Sequence, residues 1–273
     1  MSRTQALWEQ PGSVAEQFWR HGRADFPIYD MHGHMGAHNA IYFARCEAPA
    51  MDAHLARIGV RRLVFSHHSA LMGSMRNAAV HRIVEGCSER LRMYVAINPH
   101  YPEFIKEDLA LFDKWPFAIG LKMLSAYHQV AVTDRRYEYA LKFASERHLP
   151  VLNHTWGGVP YCGGPQLLEL SQRYPNVIFF HGHSIFGDWD WSRRCIVEAP
   201  GNCYLELTAV PGLRGIIERL VRDVGSERII YGTDLPWFDE YQVTGGVISA
   251  DIGDDDIKNI LYRNVERVLG TDW

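Results

Sequence analysis

No apolar run in the 273 residues approaches the ~18 that would suggest a membrane span. A basic surplus is also missing. Lys and Arg number 28 against 32 Asp and Glu, a net charge of −4, so nothing in the balance draws the chain to nucleic acid or anionic lipid. The expected partner is a small molecule. Five cysteines, Cys46, Cys87, Cys162, Cys195 and Cys203, are odd in number and lack the CxxC spacing of a zinc knuckle or redox pair. They are expected to be reduced thiols of a cytoplasmic protein. The first residues lack the apolar core of a signal peptide; Trp8, Val14, Ala15, Phe18 and Trp19 instead predict a short amphipathic helix in an extension over 1–25. No segment repeats in the manner of a solenoid. What the chain has in plenty is histidine, 14 in all, several of them ending apolar runs.

Those runs recur about every 25–35 residues, the spacing of strands joined by crossover helices. They cover 26–30, 62–66, 91–97, 117–122, 150–154, 177–183, 202–207 and 228–234. Helical periodicity lies between them. Tyr137, Ala140, Leu141 and Ala144 precede the fifth run, and Leu213, Ile216, Ile217, Leu220 and Val221 precede the eighth. Ile257, Ile260, Leu261, Val265, Val268 and Leu269 form a last stripe, with Asp254 expected to cap its start and Gly270 to end it. Eight such units in one domain over 26–273 predict an α/β fold, the (β/α)8 TIM barrel. A doubly wound sheet is the alternative, but the first strand is not followed by GxGxxG.

In a barrel the C-terminal strand ends carry the active site, and five ends here are polar: Asp30-Met-His32-Gly-His34, Lys122, His154, His183 and Asp234. Residues i and i+2 of a strand share a face, so His32 and His34 can turn inward together with Asp30 beneath them. His32, His34, His154 and Asp234 offer three imidazoles and a carboxylate, a donor set for zinc or a similar divalent ion with a position left for water or substrate. His38, His54, His81 and His148 are assigned to surface or packing. His67, His68, His100, Tyr127 and His128 are candidates for specificity, as are Trp156, Tyr161, Trp189 and Trp237 in loops over the site. Arg45, Arg135 and Arg214 are candidate anion contacts or solvated charges, and Glu206 could face the barrel or the helices.

From about residue 26 onward these residues resemble the amidohydrolase superfamily, and within it the amidohydrolase-related (amidohydrolase family 2) branch. Asp30-Met-His32-Gly-His34 is similar to D-x-H-x-H of the first strand, Ile119-Gly-Leu-Lys122 to G-[IL]-K, and 149–154 to l-P-v-x-x-H. His183 matches the sixth-strand histidine, Gly232-Thr-Asp234-Leu-Pro236 matches G-[ST]-D-x-P, and 264–270 matches N-x-x-R-x-x-G. Met123-Leu124 stands where the branch has His-Pro after the lysine. The resemblance implies that His32, His34, His154 and Asp234 surround Zn2+ or another divalent ion such as Mn2+, one ion rather than two. His183 is then a polarising or proton-transfer group. Lys122 is either a carbamylated bridge between two metals, as in some branches, or a substrate contact. A homodimer is suggested by the resemblance alone.

The implied activity is metal-dependent hydrolysis of an amide, lactone or ester. Asp234 would accept a proton from water and pass it to the leaving group. The alternative is non-oxidative decarboxylation of a small carboxylic acid by a member of the same branch. Such enzymes are expected to be longer than this chain. A metal-binding protein without activity would need the open position to be blocked, and nothing in the sequence suggests that.

Overall fold

The computed structural model describes residues 10–39 and 41–273; Trp8 of the expected N-terminal helix lies outside them. The strands are β1 (Ile28–Met35), β2 (Val60–His67), β3 (Leu91–Ile97), β4 (Ala118–Met123), β5 (Pro150–Trp156), β6 (Ile178–Phe186), β7 (Cys203–Glu206) and β8 (Ile229–Ile230). Each pairs in parallel with the next, so sheet order is chain order. The chain beyond β8 closes the ring on β1. Met31 N donates to Tyr231 O at 3.0 Å, Asp234 N to His32 O at 2.6 Å and His34 N to Leu235 O at 2.6 Å. With helices between the strands, this is the expected (β/α)8 barrel.

The eighth strand is shorter than the sequence predicts, ending at Ile230 rather than Asp234. The reason is Asp30. Its carboxylate accepts from Thr233 N at 3.1 Å and Thr233 Oγ1 at 2.5 Å, which draws the chain out of the regular ladder. Asp30 also takes His32 N at 2.9 Å, so it staples the backbone of two site-bearing segments instead of lying beneath the histidines.

Inside the barrel, Tyr29, Met31, Val64, Tyr94, Leu152, Phe180 and Ile230 form a buried apolar cluster. Two residues further along their strands stand Ser66, His154 and Gly182, on the same face by alternation. The apolar cluster is therefore the floor on which the polar end rests. The last helix closes that floor with Val265. Asn264 holds the helix there, its Nδ2 donating to Ser226 O at 2.7 Å and Ile229 O at 2.6 Å, while Arg267 donates to its Oδ1. The N-x-x-R motif is thus a clamp on the start of β8. Asp254 is not the helix cap. Gly253 takes that position, its N–H satisfied by Asp256, and Asp254 instead accepts from Val14 N at 3.2 Å, tying in the N-terminal helix Val14–His21. Within the same stripe, Asn259–Arg263 is one π-helical turn, and Ile260 O accepts from Tyr231 N at 3.1 Å.

The end of β6 departs most from a regular strand. His183, Ser184 and Ile185 have φ of 64°, 51° and 54°, three successive left-handed residues that cost about 1–2 kcal/mol each. From His154 to Trp156 on β5 the partner strand runs from Gly182 to Phe186, so β6 bulges. Hydrogen bonds offset the strain. Thr155 Oγ1 donates to Gly182 O at 2.5 Å and accepts from Ile185 N at 2.9 Å. Ser184 Oγ donates to Glu206 O, and Ser192 Oγ donates to Ser184 O. Replacing Thr155 with the isosteric valine leaves a buried carbonyl and a buried N–H without partners. We expect Thr155→Val to lose about 1–3 kcal/mol in urea unfolding; an unchanged midpoint would mean that the hydroxyl does not hold the run.

Candidate metal centre

β1, the end of β6 and the segment after β8 bring together His32, His183 and Asp234, each offering a donor atom within 4.8 Å of the others. Asp234, itself at φ 65°, points Oδ1 at the Nε2 atoms of His32 (3.2 Å) and His34 (3.0 Å). His154 reaches the group through His183, with its Nδ1 3.1 Å from His183 Nε2. All four residues expected as ligands thus converge. His183, expected beside them, lies inside the tightest cluster, and His34 and His154 flank it.

Hydrogen bonds set the ring tautomers. His32 Nδ1 donates to Glu206 Oε2 at 2.8 Å, leaving the Nε2 lone pair for the centre, where Lys122 Nζ meets it at 2.7 Å. Burial, with Lys122 adding to it, pushes His32 and His34 well below the usual imidazole range. Burial and His154 do the same for His183. Burial also raises the Asp234 carboxyl, but the surrounding imidazoles and Lys122 outweigh it and hold the group below its ordinary value. Neutral rings and an ionised carboxylate therefore face one another. Asp234 Oδ1 and His183 Nδ1 are buried without a hydrogen bond, so each is left for a partner that the protein itself does not supply. The donor set and these orphaned atoms fit a divalent ion.

Glu206 is the residue whose facing the sequence leaves undecided. It faces the barrel and is fully buried, and burial pushes its carboxyl up to about 7 against the hydrogen bonds of Thr208 and His183 N, which favour the ionised form. The signal available was its position two residues before Thr208 at a strand end, too common a pattern to single it out.

The centre opens into a cavity of about 180 Å³. Tyr127, Trp156 and Trp237 line it as expected, joined by Phe238. His68 lines it too, stacked on His34 at 4.7 Å and 4°. His38, assigned to surface or packing, also proves to be a wall residue. Other candidates lie elsewhere. His100 and His128 bond backbone carbonyls, His67 accepts from Ser69 N, and Trp189 packs on Phe186. Arg45 pairs with Asp239, and Arg135 and Arg214 are exposed. Among the described residues, neither Lys nor Arg lines the cavity.

The amidohydrolase family model matches residues 29–271. This chain belongs to the amidohydrolase family 2 branch. No curated protein matches the sequence. Among solved structures, a TIM-barrel protein from Bordetella bronchiseptica overlays the family fold with a TM-score of 0.68 at 17% identity, covering 90% of this chain and 99% of the other. A 5-carboxyvanillate decarboxylase from Novosphingobium aromaticivorans, complexed with manganese and a nitrobenzoic acid, gives 0.70 at 11%, covering 89% and 96%. A dihydroxybenzoic acid decarboxylase from Polaromonas sp., with manganese and 2-nitroresorcinol, gives 0.70 at 14%, with the same coverage. At such identities the likeness is one of fold. The family and the His-His-Asp cluster together support a divalent metal in this amidohydrolase.

The buried imidazoles also bear on stability. Burial pushes His68, His154 and His181 each down to about 4, against about 6.5 in an unfolded chain. Between those values the unfolded state binds more protons, so stability falls as pH drops through that window and levels off outside it. The urea midpoint of metal-free protein is expected to be clearly lower at pH 5 than at pH 7; a flat profile would mean that the rings protonate within the fold.

Proposed function

We propose that this amidohydrolase is a metal-dependent hydrolase cleaving an amide, lactone or ester of a small, largely uncharged molecule. The observation that carries this reading is the buried, ionised Asp234, its Oδ1 free of hydrogen bonds, at the base of a cavity that no Lys or Arg lines among the described residues. His32, His183 and Asp234, with His34 and His154 beside them, would hold a divalent ion, zinc or manganese, which would supply Lewis acidity and make water acidic enough to give up a proton near neutral pH. Asp234 takes the proton released from water and returns it to the leaving group. His183, whose Nδ1 is unpartnered, faces the developing oxyanion and polarises the carbonyl. Lys122 is fully buried and directed at His32 rather than at the cavity, which supports a charge-balancing role beside one ion over a substrate contact. Burial pushes it down to about 8.

Decarboxylation is the second reading. It is favoured by the aromatic walls and by the activities of the two manganese-bound neighbours. The ion would then orient the acid, and His183 or Asp234 would protonate the carbon that loses CO2.

Protein loaded with Mn2+ or Zn2+ is to be assayed on aryl esters, lactones and anilides beside hydroxybenzoates, in 18O-labelled water. Label in the acid product supports hydrolysis; CO2 release without consumption of water reverses the preference. Chelation should abolish turnover and added metal restore it. Asp234→Asn should lower kcat by about 10²–10⁴-fold while the protein stays folded, and an undiminished rate would refute the role of Asp234.

A further inference from the structure

We infer that Glu206 is the positioning residue of the metal cluster, fixing two of its three members at once through one carboxylate. The inference rests on the cluster being the cation site proposed above. Glu206 Oε2 accepts from the His32 ring at Nδ1 (2.8 Å) and from the backbone N–H of His183 (3.2 Å). Oε1 accepts from Thr208 N and Thr208 Oγ1, both at 2.6 Å. Four donors therefore converge on two oxygens in a fully buried site. The Thr208 pair anchors the carboxylate to its own strand end, and the other pair passes that anchor to β1 and β6.

Each contact has a distinct consequence. At His32 the acceptor keeps the ring hydrogen on Nδ1, so that Nε2 presents its lone pair to Asp234 and Lys122. At His183 it pins the first residue of the left-handed run, whose backbone conformation aims the ring at the cluster. The packing leaves no slack. A Cβ at Gly232 would fall on the Glu206 carboxylate and on His32 Cβ, and one at Gly182 would lie 3.1 Å from His32 Cε1. The glycines of the sixth- and eighth-strand motifs thus make room for the Glu206–His32 pair. Glu206 is not among the residues lining the cavity, so it acts through its neighbours and not on substrate.

An amide cannot replace this carboxylate. In either orientation, its NH2 would face two donors. Glu206→Gln is therefore the test, with two readouts that do not depend on turnover. In metal-free protein, ring 15N NMR should find His32 of the unsubstituted chain with its hydrogen on Nδ1, and the variant with a changed tautomer population. A His32 ring carrying hydrogen on Nε2 in the unsubstituted chain would overturn the inference. In a titration of Mn2+ alone against a competing chelator, the variant should bind about 10–100-fold more weakly; equal affinity would overturn it too. An unsubstituted chain that binds no Mn2+ would instead remove the metal reading of the site and leave the tautomer measurement to decide the positioning role. Should Glu206→Gln not fold, Thr208→Val, which takes one donor from Oε1, should weaken Mn2+ binding and Thr208→Ser should restore it. Equal binding by both variants and the unsubstituted chain would refute the anchor.

Discussion

The crowding of buried polar atoms around Asp234 is the constraint on which this structure turns. Asp234 Oδ1 lies 3.2 and 3.0 Å from two imidazole nitrogens, all of them withdrawn from water. Left alone, a buried carboxylate oxygen without a hydrogen bond is costly, and a flexible site would open to relieve it. The barrel prevents this by fixing the backbone on either side. Asp30 bonds both the His32 and the Thr233 amides, and Asp234 N is spent on His32 O. Lys122 brings a positive charge to 2.7 Å from one of the nitrogens. The fold thus holds these side chains in place through its own backbone.

Much of this was legible in the sequence, because strand alternation and barrel topology translate directly into position. Two histidines two residues apart had to share a face, and polar residues ending apolar runs had to meet at one end of a barrel. What alternation cannot foresee is where a strand stops being regular. His183 reaches the tightest part of the cluster by way of three left-handed residues, one of them the β-branched Ile185, and no local propensity favours that path. Asp30 obeys alternation in sequence, yet its short side chain finds Thr233 closer than the cavity. Glu206 sits on a four-residue strand, too short for its facing to be read. His38 lies in a loop after β1, and its place in the wall depends on His68 and Trp237, which come from distant segments.

The cavity and the ligand cluster carry different kinds of information. The cluster is built from strand ends cross-linked by backbone hydrogen bonds, so it records the family. The walls come from loops, and Trp237 Nε1 donates to His68 Nε2 at 3.2 Å while His68 Nδ1 bonds Gly36 O at 2.7 Å. Three loops are thereby joined by one neutral ring. Under the proposed function, discrimination among substrates would rest on that aromatic frame rather than on fixed charge.

The π-helical turn at Asn259–Arg263 sets a limit on length variation far from the chemistry. Its extra residue is a spacer: Asn264 N–H bonds back to Asn259 O, and Ile260 O serves Tyr231 at the mouth of β8. Deleting one residue there would restore ordinary helical bonding and rotate all that follows by about 100°, carrying Val265 off the barrel floor and Asn264 off its two carbonyls. Indels, normally absorbed by loops at the ends of helices, are thus forbidden in the middle of this one.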